Sequence, residues 1–257
     1  VSDHRKSVFE WARIYAGDPT SYEARHHAIF DFLRDDGMQP SSRVLEIGCG
    51  PLGLGRHLIN WLEPGNYCAL EPNGWQVEAA LDEFFGDAPD YPCNSSFLYR
   101  DDFLAVNQEQ FDFVVAHSVL SHAAHWQMEQ CLSNVRKVVR DGAVFLASLR
   151  LAATDSFARQ WEYPGVTHFC FPTLTTLGVH FGWTVEHDES LRGRMLDVAP
   201  NDSHNWIRFR ATLTAAEVNE VRLSDEERRR ELAEIYKWAE AEYERHKRRQ
   251  LGELELS

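Results

Sequence analysis

The stretch VLEIGCGPLGLG, residues 44–55, joins a strand-like apolar run to a cluster of glycines at positions 48, 50, 53 and 55. Gly48, Gly50 and Gly53 satisfy the G-x-G-x-x-G spacing, in which a tight turn lets backbone approach a ligand and opens a helix whose N-terminus attracts an anion. A dinucleotide cofactor is therefore one reading of the turn. Glu46, two residues before Gly48, argues against it: a carboxylate adds nothing to pyrophosphate binding but favours a ligand carrying a cationic amino-acid end.

Outward from the turn, strand-like and helical runs alternate. Strands are expected at 43–47, 67–70, 96–99, 111–116 and, after an Asp141-Gly142 turn, 143–149; helices at 53–62, 73–85 and 125–139. Such alternation implies right-handed crossovers and a parallel sheet covered on both faces. Upstream, apolar residues from Val8 to Leu33 recur at helical spacing on either side of Pro19, suggesting two helices. Downstream, 151–171 is irregular and rich in aromatics, and Pro172-Thr173 open a helix ending at Gly182. Residues 183–188 and 206–213 then read as a hairpin joined by a loop containing APNDSHN. A capping box at Ser224–Glu227 opens a long final helix. The fold expected is α/β: a Rossmann-like, seven-stranded, mostly parallel sheet with helices on both faces, an antiparallel C-terminal hairpin, extra N-terminal helices and a long C-terminal helix. One domain is expected, made of an N-terminal helical cap (1–40), a cofactor-binding core (41–150), a lid insertion with the closing hairpin (151–213) and the C-terminal helix (214–257).

The 257 residues carry 26 Lys and Arg against 40 Asp and Glu, a formal net charge of −14, which disfavours a phosphate-backbone partner. No apolar run approaches the roughly 18 residues that span a bilayer, and the first residues lack a signal-peptide core. A cytoplasmic protein is expected, without nucleic-acid or membrane partners. The missing Met before Val1 fits Met removal or excision from a longer chain. Five scattered cysteines without a C-x-x-C pair indicate neither a disulfide framework nor a zinc site. The narrow apolar stripe of the final helix suits packing on the domain or pairing in a homodimer.

The runs VLEIGCG, YCALEPN, YRDDF, FDFVVAHSVLSHA and LSNVRKVVRDGAVFLASL, in that order, resemble the class I S-adenosylmethionine-dependent methyltransferases. The resemblance covers roughly residues 40–150 and, more loosely, 182–213. It implies methyl transfer from S-adenosylmethionine, leaving S-adenosylhomocysteine. It places Glu46, Gly48, Cys49 and Gly50 beside the methionine end, and Glu71, followed by Pro72, at the ribose hydroxyls, where one carboxylate accepts two hydrogen bonds. Asp102 and Phe103 match the acid and apolar pair at the adenine, with Asp101 as a rival. His117 and Ser118 would flank the sulfonium or the acceptor. The turn is longer than the family's common form, with Pro51 and Leu52 before Gly53, and Gly53 and Gly55 read equally as helix-packing residues.

For an oxygen or nitrogen acceptor a proton must leave, and His117, His122 and His168 are the candidate bases; His122 reads equally as a structural hydrogen-bonder. The spacing of His117, His122 and His125 does not put all three on one helical face, so no metal is expected. Tyr15, Tyr22, Trp161 and Tyr163, with His122, are candidates for the acceptor pocket, although each aromatic also suits a core. AHSV stands where base-methylating enzymes carry an N/D-P-P-Y/F run, so a small-molecule or glycan acceptor, such as a surface sugar or secondary metabolite, is expected. A NAD(P)-dependent oxidoreductase and a non-catalytic, methyltransferase-like scaffold are the competing readings.

Overall fold

The computed structural model describes residues 7, 8, 10, 11, 14, 19–86, 94–105, 110–156 and 158–212. Tyr15 and the expected C-terminal helix, with any dimer through it, lie outside the described residues, as does most of the first expected N-terminal helix.

The elements run in the order α1 (Pro19–Asp35), β1 (Val44–Ile47), α2 (Gly55–Trp61), β2 (Tyr67–Leu70), α3 (Gly74–Phe85), β3 (Ser96–Leu98), β4 (Phe111–Ala116), a 3-10 turn (Leu120–His122), α4 (His125–Arg136), β5 (Val139–Leu151), β6 (His168–Phe169), α5 (Phe171–His180), β7 (Trp183–His187), α6 (Glu189–Val198) and β8 (Asn205–Ala211). The strands lie in the order β3-β2-β1-β4-β5-β8-β7, with β6 attached to β5. Pairings from β3 to β5 are parallel, and β8 runs antiparallel to both β5 and β7. The expected sheet is therefore present, with β6 as an eighth, two-residue strand paired to Arg150 and Leu151.

Strands covered on both faces need apolar residues on both sides, and β1 shows how this is met. Leu45 and Ile47 enter the core beneath α4 and α5, with Phe145, Trp183 and Phe209. Val44 faces the other core, built with Ile29 and Leu33 of α1, Leu58 of α2, Val77 of α3, Leu191 of α6 and Trp206. Glu46 is the only charged residue in β1, and it too is buried.

Two local expectations are corrected. Asp141-Gly142 does not start β5 but swells inside it: Phe111 pairs with Val139 and Phe113 with Val144, so the strand bulges around Gly142 at φ +83°. The loop expected between the last two strands holds α6, capped by Asp188, whose carboxylate accepts from Leu191 N at 2.9 Å. Leu191 and Met195, one turn apart, bury its inner edge. Each contributes about 1.5–3 kcal/mol of burial.

Candidate active site

The loops beyond the carboxyl ends of β1, β2, β3 and β4 meet at one end of the sheet, where open α/β sheets bind ligands. Gly48 and Gly50 are left-handed (φ +67° and +48°), and Gly48 N donates to Leu70 O at 2.7 Å, tying the turn to β2. A Cβ on Gly48 would collide with Val119 of the β4 loop. Among the described residues four non-glycines are also left-handed, and three of them, Leu52, Phe103 and Ser118, follow β1, β3 and β4. Such backbone is costly for residues with a Cβ and concentrates where loops are held for a ligand.

Glu71 joins the two halves of this end. Its buried carboxylate accepts from Gly50 N at 3.0 Å and from Asn73 N and Nδ2, each at 2.9 Å. Pro72, next to it, is exposed. The second half of the glycine stretch is packing: a Cβ on Gly53 would lie 2.6 Å from His26 Cε1 and nearer still to the Tyr22 hydroxyl, and one on Gly55 would strike Tyr67. Gly53 is where α1 lies against the turn.

Glu46 sits beneath the turn and accepts from the Tyr67 hydroxyl at 2.6 Å. Burial pushes its carboxyl up to about 8; the Tyr67 hydrogen bond opposes this and the Glu71 charge adds to it. Cys49 is buried, its thiol raised well above the usual range by burial and by both carboxylates.

Of the residues expected at the adenine, Asp102 is held by a neighbouring arginine. Arg100 Nε donates to Asp102 Oδ1 at 2.9 Å and its Nη2 to Oδ2, so both carboxylate oxygens already have a partner. Phe103 is turned into the core, and Asp101 is exposed.

The three candidate bases do not converge. His117 stacks on Trp206, with centroids 5.5 Å apart, and its Nδ1 lies 3.4 Å from His26 Nε2. Burial, then the neighbouring His26 and His204, holds His117 well below the ordinary histidine range. Ser118 is exposed, and its N–H donates to the buried Ser148 hydroxyl of β5 at 2.6 Å. His122 fastens the insertion: its Nδ1–H donates to Gly165 O at 2.6 Å, its carbonyl accepts from Glu162 N, and Trp161 and Tyr163 lie against its ring. His168 is a strand residue, bonded through its backbone N–H to Ser156 Oγ and through its carbonyl to Ser156 N.

Of the pocket aromatics, Tyr22 is buried against His26 and Gly53. Trp161 and Tyr163 are 41% and 50% exposed, which leaves large ring faces open next to His122. Sequence reasoning missed His26, Asp202 and His204. His26 lies one helical turn after Tyr22 and was legible at that spacing; Asp202 and His204 are hidden in the polar APNDSHN run. Among the described residues no cluster of His, Cys, Asp and Glu is arranged to hold a metal, and no helix is long and apolar enough to cross a membrane.

Residues 45–145 match a family model described as a methyltransferase domain. The sterol 24-C-methyltransferase of Clavispora lusitaniae is 29% identical over 142 residues, covering 54% of this chain and 36% of that protein. The chain thus spans about a third of the length of the curated relatives it matches. Two solved structures share the fold. Magnesium protoporphyrin IX methyltransferase from Synechocystis PCC 6803, with S-adenosylmethionine bound, superposes at TM-score 0.56 and 13% identity, covering 81% of this chain and 93% of that one. The glycopeptide N-methyltransferase MtfA, complexed with sinefungin, superposes at TM-score 0.53 and 16% identity, covering 76% and 94%.

Proposed function

From the premise that residues 45–145 form a class I S-adenosylmethionine-dependent methyltransferase domain, we propose that the chain methylates an oxygen or nitrogen of a small-molecule or glycan acceptor. The observation that carries this reading is the pairing of Glu71 with the Gly48–Gly50 turn. The carboxylate at the end of β2 is buried, accepts from the turn's own Gly50 N and keeps one acceptor site free on Oε2; with the Asn73 side chain turned away from Oε1 it accepts from both hydroxyls of a vicinal diol. The residues present fit the cofactor: Gly48 and Gly50, both left-handed, bring bare backbone to the carboxyl end of β1.

In this reading Glu71 holds the ribose, and Gly48, Cys49 and Gly50 line the methionine end with Glu46 beneath them. Pro72 and the Asp101–Asp102 turn border the adenine, with Asp102 kept in place by Arg100. His117 and Ser118 border the reacting end. When bound, the sulfonium supplies an electrophilic methyl group; the S–C electron pair leaves with sulfur as a neutral thioether while the acceptor's O–H or N–H loses its proton. What this chain's residues do is hold an in-line geometry and exclude water. The exposed faces of Trp161 and Tyr163 supply apolar surface for the acceptor.

The sterol relatives share with this chain only a segment of their length, so their acceptor gives no preference for carbon here. The test is transfer of a tritiated methyl group from S-adenosylmethionine to panels of phenols, amines, carboxylic acids and glycosides. Label in those products supports the proposal. Label confined to carbon-methylated products, to nucleic acid or to no acceptor overturns it.

A further inference from the structure

Beside the turn, on the flank away from Glu71, lies a group of ionisable side chains that cofactor binding does not use. β8 runs antiparallel to β5 with Asn205 opposite Leu149, so the segment before β8 emerges at the carboxyl end of the parallel strands. There His204 Nδ1 lies 2.8 Å from Asp202 Oδ1, and His204 N donates to the same oxygen at 2.9 Å. His117, directly after β4, has its ring 6.1 Å from that of His204. His26 of α1 completes the group and touches Gly53 of the turn.

The hydrogen bonds settle which nitrogens carry protons. The Tyr22 carbonyl can only accept, so His26 Nδ1, at 2.8 Å from it, carries the proton and leaves Nε2 as an acceptor. His117 Nδ1 must then be the donor to His26 Nε2, which leaves the lone pair of His117 on Nε2. The Asp202 carboxylate likewise fixes the His204 proton on Nδ1 and bares its Nε2. Two imidazoles thus present unprotonated Nε2 atoms at the end of the sheet where the methyl group is handled.

We propose that Asp202 and His204 form the proton-accepting dyad of the methyl transfer, with His204 Nε2 taking the acceptor's O–H or N–H proton and His117 as a neighbouring hydrogen-bond acceptor. This rests on the methyl-transfer reading above. The acceptor's lone pair forms the new bond to the methyl carbon, the S–C pair stays on sulfur, and the released proton ends on His204 as an imidazolium facing a carboxylate. Asp202 is the positioning residue: its side chain is 4% exposed, and Arg25 Nε stands 4.0 Å from its second oxygen. Burial pushes the Asp202 carboxyl up, but the side-chain and backbone hydrogen bonds from His204 hold it well below the usual range. Among the described residues His117 makes no hydrogen bond to a carboxylate, and the charges of His26, His204 and Arg25 oppose its protonation while that of Asp202 favours it; His204 is the imidazole hydrogen-bonded to Asp202. Among the described residues, His122 on the insertion side also feels the His204 charge.

The test is nitrogen NMR of the full chain with labelled histidine at about pH 7, free and saturated with S-adenosylhomocysteine, together with the rate of methyl transfer. Expected is a His204 that carries its proton on Nδ1. Asp202→Ala should release that tautomer preference, and His204→Gln should keep S-adenosylhomocysteine affinity within about twofold, a free-energy change of about 0.4 kcal/mol, while lowering the transfer rate at least about 100-fold. A wild-type His204 protonated on Nε2, a tautomer unchanged in Asp202→Ala, or a transfer rate unchanged in His204→Gln would overturn the dyad. Absence of any effect of S-adenosylhomocysteine on the spectra would count against the methyl-transfer reading alone, since the free-protein tautomer still judges the dyad.

Discussion

Replacing Glu46 by Gln should stabilise the ligand-free protein at neutral pH, and the gain should grow with pH in a defined way. Glu46 is 4% exposed and its carboxyl is raised from 4.5 to about 8. Between those values the folded protein holds a proton that the unfolded chain has released, so stability falls as pH rises, by about 1.4 kcal/mol per unit. Below about pH 4.5 both states are protonated and nothing is lost; above about pH 8 the loss is complete. At pH 7 the interval is 2.5 units, a cost of about 3 kcal/mol. Gln keeps the volume and an oxygen to accept from Tyr67, yet carries no charge to desolvate. Urea denaturation of both proteins from about pH 4 to 9 measures the difference. It should be a constant small offset at the acid end, rise through neutrality and level off near pH 8. A difference independent of pH would refute the reasoning, because it would mean that Glu46 titrates alike in folded and unfolded chains.

Gly53→Ala should cost about 1–3 kcal/mol in the same assay, since the added methyl meets the rigid rings of Tyr22 and His26 rather than a flexible chain end; a neutral result would mean that α1 does not rest on the turn. His122→Ala removes the bond to Gly165 O and the ring under Trp161 and Tyr163. It should cost about 1 kcal/mol and speed trypsin cleavage after Arg159 in the insertion. Unchanged cleavage would show that His122 does not fasten this segment.

The parts of the fold legible in the sequence were those with a strong period. The YCAL and FDFVVA runs are β2 and β4 at the boundaries expected, because buried parallel strands leave a near-continuous apolar signature between turn residues, interrupted here only by Asp112. α6 was hidden because Gly193 and its charged neighbours dilute the pattern to two inward residues, and the Asp188 cap that starts it resembles any loop acid. Asp141-Gly142 read as a turn because its composition is the same whether the chain reverses or merely bulges. At the site, Glu71 and the two left-handed glycines were legible from spacing. The dyad was not, because a D-x-H pair in a polar loop has no signature until β8 brings it beside β4. The roles of His117 and His122 depend equally on contacts far along the chain, with Trp206 and with Gly165.

The central claim is that the glycine turn and Glu71 hold S-adenosylmethionine, and calorimetric binding of S-adenosylhomocysteine tests it most directly. The wild-type chain should bind S-adenosylhomocysteine and not NADH. Glu71→Ala should weaken binding at least about tenfold, the effect of losing one charge-assisted hydrogen bond worth about 1.5–3 kcal/mol, with Glu71→Gln in between. Binding of NADH alone, or S-adenosylhomocysteine affinity unchanged in Glu71→Ala, would contradict the account.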